Sequence, residues 1–104
     1  MKSITKSTFE KDVLNSEKIV LFDAWAPWCP PCRGMLPIVE NISEENSDWI
    51  DVVKLNVDEE MELAQTLGVT GLPTFFVYKN GKIVNTIIGA TTKDKLIEIC
   101  KLAK

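Results

Sequence analysis

Histidine is absent from this chain of 104 residues. A Ser-His-Asp triad, a Cys-His nucleophile pair and a zinc site with histidine ligands are therefore excluded. Basic residues are also in the minority, because 12 lysines and arginines stand against 15 aspartates and glutamates and leave a net charge of −3. Since no excess of positive charge is available for a phosphate backbone, we expect no nucleic acid among the partners. Any catalysis must use carboxylates, lysines, hydroxyls or sulfur.

Long apolar segments are missing as well. The longest runs, Ile19–Phe22 and Phe75–Tyr78, are too short to cross a bilayer, so we expect no membrane association. The first residues contain no apolar core of a secretory signal, which predicts a cytoplasmic protein. Only three cysteines are present, an odd number that is too small for a disulfide framework and fits a reducing compartment. The composition is that of an ordinary globular protein and predicts a single domain over residues 1–104.

Strand patterns occur at four places, and a short additional strand is possible near Lys2–Ile4. A continuous apolar run interrupted only by Asp23 is typical of a strand buried on both faces. Asn80-Gly81 between two apolar segments is a strong hairpin signal. The four predicted strands are Ile19–Trp25, Ile50–Val57, Thr74–Lys79 and Lys82–Ile88.

Helical spacing of apolar residues predicts four helices between these strands. The first is capped by Ser7 or Thr8 and carries Phe9, Val13 and Leu14, and the second begins around Cys29–Cys32 and continues through Ile42 with a kink at Pro37. The third is Glu59–Leu67 with Asp58 as its cap and Gly68 after its end, and the fourth is Thr92–Ala103. Strands separated by helices imply parallel crossovers, whereas the hairpin implies an antiparallel edge. We therefore predict an α/β fold, a central mixed sheet of about five strands flanked by four helices.

The most informative segment is Cys29-Pro30-Pro31-Cys32, which follows a buried strand at the start of a helix. Two intervening residues allow the sulfurs to meet in a small ring. Free N–H groups and the dipole at a helix start favour a thiolate on the first cysteine, which we expect to face outward while the second is sheltered. Half of a zinc ribbon or two unrelated core thiols are the alternatives. A zinc site would need a second pair of cysteines or histidine ligands, and the chain has neither, so we expect no metal.

Around this segment the sequence resembles the thioredoxin family. The resemblance is carried by WCPPC, by the preceding FDAWAP and by GLPTFFVYKNGK further on, and it extends over nearly the whole chain. It implies the thioredoxin fold and a protein-disulfide reductase that needs no bound cofactor. It also implies disulfide-containing substrate proteins, and a separate reductase, usually a flavoenzyme drawing on NADPH, that restores the dithiol of a monomeric protein.

The resemblance also assigns roles to individual residues. Cys29 matches the nucleophile, Cys32 the cysteine that resolves the mixed disulfide, and Trp28 the tryptophan of the redox centre. Asp23 matches a buried carboxylate that assists proton transfer, with Lys54 nearby, and Pro73 matches a cis proline beside the disulfide. The apolar rim that receives substrate corresponds to Pro30, Pro31, Gly71, Leu72, Ile88, Gly89 and Ala90. Pro30 departs from the Gly-Pro pair of most members, which bears on the reduction potential and the partners and not on the class of activity.

Each of these residues also has a purely structural interpretation. Asp23 could be a satisfied buried polar residue, but a carboxylate in an apolar strand is costly unless it is used or paired. Pro73 could be an ordinary edge-strand proline and Trp28 a core residue, although a tryptophan between prolines and cysteines suits an exposed contact better. For Cys100, on the apolar face of the last helix, the structural interpretation as a small buried residue is preferred.

Two other functions stay open at this stage. One is an oxidase or isomerase of the same fold, which the missing secretory signal disfavours. The other is a non-catalytic binding module that uses only the apolar rim, which the presence of both cysteines disfavours. An assay of insulin reduction by dithiothreitol distinguishes a binding module from a reductase. The reduction potential distinguishes an oxidase or isomerase from a reductase.

Overall fold

The computed structural model describes residues 1–104 and contains one five-stranded sheet in the order β1-β3-β2-β4-β5. The first three strands are mutually parallel, whereas β4 and β5 are antiparallel to their neighbours. The predicted mixed sheet with an antiparallel hairpin edge is confirmed. Its strands are β1 (Lys2–Ser3), β2 (Ile19–Trp25), β3 (Ile50–Asn56), β4 (Thr74–Lys79) and β5 (Lys82–Ile88).

The hairpin turn between β4 and β5 uses the predicted Asn80-Gly81 pair. Asn80 has a φ of 52° and Gly81 a φ of 78°. Positive φ at both central residues gives the tight turn whose twist matches that of the flanking strands. The sequence signal and the backbone therefore agree at this position.

Four helices flank the sheet, as predicted. They are a π-helix (Glu10–Leu14) and the α-helices α1 (Pro30–Glu45), α2 (Met61–Thr66) and α3 (Lys93–Leu102). Pro37 lies inside α1, and Thr92 caps α3 by accepting a hydrogen bond from the Lys95 N–H at 3.1 Å. The helices thus occupy the four predicted regions, with α2 shorter at both ends than the segment Glu59–Leu67.

Two predicted helix caps are wrong. In the first helix the Thr5 carbonyl already accepts the Phe9 N–H, and the Thr8 hydroxyl accepts the Thr5 N–H, 2.9 Å away. Thr8 therefore bonds backward to Thr5, and the residue before the helix is Phe9, which makes no side-chain cap, so neither Thr8 nor Ser7 is the cap. At α2 the residue before the helix is Glu60, which makes no side-chain cap, and the Asp58 carboxylate is instead bonded to Trp28.

The core lies on both faces of the sheet because successive residues of a strand point to opposite sides. Leu21 belongs to the cluster under α1 and α3, whereas Phe22 belongs to the cluster on the other face, with Val13 of the π-helix and Ala64 of α2. Asp23 shares the face of Leu21. The carboxylate is therefore on the side of the sheet that α1 covers, two residues before β2 ends and leads into the start of that helix.

Candidate active site

A disulfide between Cys29 and Cys32 lies at the start of α1, with 5.2 Å between the two Cα atoms. Cys29 is the residue that caps the helix, and its sulfur accepts a hydrogen bond from the Cys32 N–H at 3.3 Å. Pro30 and Pro31 fill the first two helical positions and have no N–H of their own. The Cys32 N–H is consequently the first backbone donor that the helix offers to the Cys29 sulfur.

Both cysteines are almost completely buried, so Cys29 faces outward far less than expected. Cys29 is 5% exposed and Cys32 is 0% exposed. Together with Ala26 they form a small buried cluster, against which Trp25, Val57 and Leu72 pack. Of the two cysteines, only Cys29 retains any exposure to solvent.

Asp23 is fully buried, and neither of its carboxylate oxygens has a hydrogen-bond partner. Burial disfavours the charged form and raises the pKa of Asp23 to about 7, against an opposing effect of the positive charge on Lys54. This matches the expectation of a raised pKa from the sequence. A carboxyl group with this pKa can both accept and release a proton near neutral pH.

Lys54 is the register partner of Asp23 on the neighbouring strand β3. Its ammonium group does not bond the carboxylate and instead lies over the indole of Trp25, 5.4 Å from the ring centroid. The lysine therefore acts on Asp23 through its charge and not through a hydrogen bond. Trp25 is half-buried between this ammonium group and the cysteine cluster.

Trp28 is 63% exposed, as a contact residue should be. Its indole Nε1 donates a hydrogen bond to the Asp58 carboxylate at 2.8 Å. Sequence reasoning missed this partner, because Asp58 belongs to a run of acidic residues that is typical of a helix start. No signal in the sequence connects two residues that are 30 positions apart.

The peptide bond between Leu72 and Pro73 is cis, as the resemblance implies. The Pro73 carbonyl accepts the Gly89 N–H at 2.7 Å, and a Cβ atom added to Gly71 would lie 3.0 Å from Ile88 Cγ2. The fold thus brings the segment around Pro73 against the end of β5. The residues of the predicted rim that are exposed at this edge are Pro30, Pro31, Ile88 and Ala90.

Cys100 is fully buried in the cluster under α1 and α3, and burial raises its pKa to about 12. The interpretation as a small buried core residue is confirmed. Nowhere do three or more cysteine, aspartate or glutamate side chains come together as possible metal ligands. None of the helices combines the length and the apolar character that crossing a bilayer requires.

A disulfide between two cysteines three residues apart at the start of a helix, on the side of the sheet that also holds a buried acid, is typical of proteins that carry out thiol–disulfide exchange. The sequence model of the thioredoxin family matches residues 1–102. The chain belongs to the thioredoxin family and is a protein-disulfide oxidoreductase. Membership implies substrates that contain disulfides and a reductase as partner.

Curated relatives agree with this assignment over most of their length. The thioredoxin of Streptomyces clavuligerus is 47% identical over 97 residues, 93% of this chain and 90% of the relative. Thioredoxin 1 of Synechococcus elongatus is 43% identical over 90% of this chain and 88% of its own length. The thioredoxin of Listeria monocytogenes is 43% identical over 95% of this chain and 94% of its own length.

Proposed function

We propose that the protein works as a reductase, passing two electrons from the Cys29–Cys32 dithiol to disulfides in substrate proteins. The observation that supports this proposal is the difference in burial at the disulfide, since Cys29 keeps 5% exposure and Cys32 has none. The less buried sulfur is the one that a substrate can approach, and the fully buried sulfur can then resolve the mixed disulfide from inside the protein.

In the first step the Cys29 thiolate attacks one sulfur of the substrate disulfide. A mixed disulfide forms between Cys29 and the substrate, and the other substrate sulfur leaves as a thiolate that takes a proton from water. The position of Cys29 at the helix start supports its role, because the Cys32 N–H and the helix dipole stabilise negative charge on its sulfur.

In the second step Cys32 gives its proton to the Asp23 carboxylate, and the resulting thiolate attacks the Cys29 sulfur. The bond between Cys29 and the substrate breaks, the second substrate sulfur leaves as a thiolate that takes a proton from water, and the protein is left as the disulfide with the Cys32 proton on Asp23. The raised pKa of Asp23 supports this role because a base is most efficient when its pKa lies near the working pH. Lys54 keeps part of the Asp23 population ionised through its positive charge.

The apolar rim and Trp28 receive the substrate around the disulfide. Trp28 offers a large exposed surface and is held by Asp58. Pro73 and Leu72 form the turn on which a substrate backbone rests beside Cys29, and Leu72 already packs against the cysteine cluster. The remaining rim residues are Pro30, Pro31, Gly71, Ile88, Gly89 and Ala90.

Each cycle leaves the protein oxidised, so a separate reductase, of the NADPH-dependent flavoenzyme class that the resemblance implies, returns two electrons to the disulfide. We propose that the protein acts as a monomer of one domain, since a single sheet runs from the first residues to β5. Reduction of substrates is sustained in a reducing compartment, for which we propose the cytoplasm.

The test compares the protein with Cys29→Ser and Cys32→Ser in the reduction of insulin by dithiothreitol. The unaltered protein is expected to accelerate the reaction, and both variants are expected to lose the acceleration. Cys32→Ser is further expected to accumulate a stable mixed disulfide through Cys29. Equal rates for all three proteins would refute the proposal, and a reduction potential well above that of glutathione would make the protein an oxidase instead.

A further inference from the structure

Strand β5 is an edge of the sheet with an unusually apolar exposed surface. Its only sheet neighbour is β4, and three of its hydrophobic side chains are open to solvent: Ile83 at 41%, Val84 at 50% and Ile88 at 62% exposure. No charged residue occurs between Lys82 and Lys93. Edge strands are normally protected by charge, yet most of this one carries none.

The outer edge of β5 also presents backbone groups that β4 does not use. The bond from the Gly89 N–H to the Pro73 carbonyl makes these two residues a hydrogen-bonded pair. Hydrogen-bonded and non-hydrogen-bonded pairs alternate along an antiparallel ladder. The opposed pairs Thr74 with Ile88 and Phe76 with Thr86 are therefore non-hydrogen-bonded. The N–H and C=O groups of Thr86 and Ile88 therefore point away from the sheet.

The side chain of Asn85 already occupies one of these outward positions. Its Oδ1 accepts the Thr86 N–H at 2.9 Å. A side-chain amide oxygen thus sits where the carbonyl of an added strand would accept the same N–H. The amide is on a flexible side chain and can be displaced, so the position is open to a competing backbone carbonyl.

This edge is continuous with the rim around the disulfide. Ile88 is a residue of β5 and also lies against Gly71, the neighbour of Leu72 in the turn that packs on the cysteine cluster. Ile88 and Thr86 are two residues apart on β5, so an extended chain, which advances about 3.3 Å per residue, covers both within two residues. One polypeptide can therefore occupy the rim and the edge together.

We infer that β5 binds an extended segment of the substrate protein, which adds to the sheet as a sixth strand next to the disulfide being reduced. This inference rests on the proposed reductase function and specifies its substrates. The preferred segment is uncharged and rich in β-branched residues opposite Ile83, Val84 and Ile88, with an acidic residue toward Lys82. Backbone bonds provide affinity in such an arrangement and the side chains provide selectivity.

Two variants alter this edge without touching the rim. Thr86→Pro removes the outward N–H, which β4 does not use, and proline is tolerated at such an edge position. Val84→Glu places a charge on the apolar surface. Leu102→Glu is the matched control, because Leu102 is 74% exposed at the end of α3 and is not part of the sheet edge.

Each protein is assayed with insulin and with the small disulfide 5,5′-dithiobis(2-nitrobenzoate), which is too small to reach the edge from Cys29. We expect Thr86→Pro and Val84→Glu to lower kcat/KM for insulin about three- to tenfold, the loss that one or two hydrogen bonds or a small apolar contact give. The rate with the small disulfide should stay unchanged, and Leu102→Glu should alter neither rate.

An unchanged ratio of the two rates in both edge variants overturns the inference. If circular dichroism shows that Thr86→Pro does not fold, the result for Val84→Glu decides. If the unaltered protein reduces neither substrate, the reductase function itself is wrong. A protein that elutes as a dimer, and as a monomer after Val84→Glu, would assign the edge to a second copy of the chain and overturn the inference.

Discussion

The indole of Trp28 and the carboxylate of Asp58 are joined by a hydrogen bond of 2.8 Å across the surface beside the redox disulfide. Asp58 is itself fixed, because its backbone N–H donates to Asn56 Oδ1 at 2.9 Å. The acceptor thus sits on an ordered turn directly after β3. Trp28 is exposed and would otherwise be free to rotate, so this bond gives the largest side chain of the site one orientation.

Asp58→Ala should release Trp28 and lower kcat/KM for insulin about two- to fivefold, since a hydrogen bond to a charged group contributes roughly 1 kcal/mol at an exposed position. The indole N–H signal of Trp28 in NMR should exchange faster with water in the variant. The indole of Trp49 is the internal control, because its N–H donates to Asn46 Oδ1 and is not affected. An unchanged Trp28 signal would mean that the bond does not hold the ring in solution.

In the reduced protein, iodoacetamide should modify Cys29 well before Cys32 or Cys100. Cys29 alone of the three reaches the surface, and its position at the helix start favours the thiolate that reacts. Mass spectrometry of peptides after short exposure at neutral pH gives the order directly. Earlier modification of Cys32 would reverse the assignment of attacking and resolving sulfur.

Pro30→Gly should raise the reduction potential of the Cys29–Cys32 pair. Proline at the first helical position restricts the reduced loop to conformations close to the closed ring, and glycine removes that restriction and stabilises the open dithiol. The expected change is about 0.5–1 kcal/mol, roughly 10–20 mV for two electrons. Equilibration with glutathione measures it. Pro30→Ala should shift the potential in the same direction by less, and a downward shift in either variant contradicts the argument.

Asp23→Asn should stabilise the protein at neutral and alkaline pH. The folded pKa of Asp23 is about 7, raised from an unfolded value near 4 by burial. The folded state therefore holds the proton more tightly, and the stability that this provides is complete below about pH 4 and is lost as the pH rises through 7. Asn cannot ionise, so the advantage of the variant should grow over this window to roughly 4 kcal/mol at most.

Urea denaturation of both proteins at pH 4, 6 and 8 tests this dependence, and turnover of a mixed disulfide tests the mechanism. The same variant should release substrate more slowly, because Cys32 loses its proton acceptor. A variant that is less stable than the parent at pH 8 and reduces insulin at the parental rate would make Asp23 a structural residue only.

Gly81→Ala should lower the stability of the protein more than Gly68→Ala does, although both glycines have a similar positive φ. A Cβ at Gly81 would lie 2.9 Å from the Leu14 carbonyl oxygen, whereas one at Gly68 meets nothing within 4 Å. We expect about 1 kcal/mol for the backbone conformation at Gly68 and about 2–3 kcal/mol at Gly81, where the contact adds to it. Equal losses of stability in thermal unfolding would show that the backbone at Leu14 moves away from the new Cβ atom without loss of stability.

Sequence patterns were sufficient wherever the determinant is local. The two-sided apolar run around Asp23, the Asn80-Gly81 turn and the spacing of Cys29 and Cys32 each predicted the structure found. Caps were less predictable, because several hydroxyls compete near the start of a helix, and Thr8 bonds backward to Thr5 instead of forward. The Asp58 carboxylate is bonded to an indole donor that the fold brings to it, and no local rule anticipates this.

The charge near Asp23 illustrates the same limit. Pairing of β2 with β3 sets Lys54 beside Asp23 in register, which the strand assignments made possible to foresee. The direction of the lysine side chain depends on the indole of Trp25, which attracts the ammonium group and leaves the carboxylate without a bond. A raised pKa could be expected from burial alone, whereas the absence of an ion pair could not.

Burial of Cys100 confines disulfide exchange in the folded protein to the Cys29–Cys32 pair. Disulfide exchange requires an accessible thiolate, and this thiol is neither ionised near neutral pH nor reachable by another sulfur. The odd cysteine therefore cannot compete for Cys29 or Cys32 while the protein is folded, and scrambled pairings are excluded. Only unfolding exposes the third sulfur and makes it available to form a disulfide.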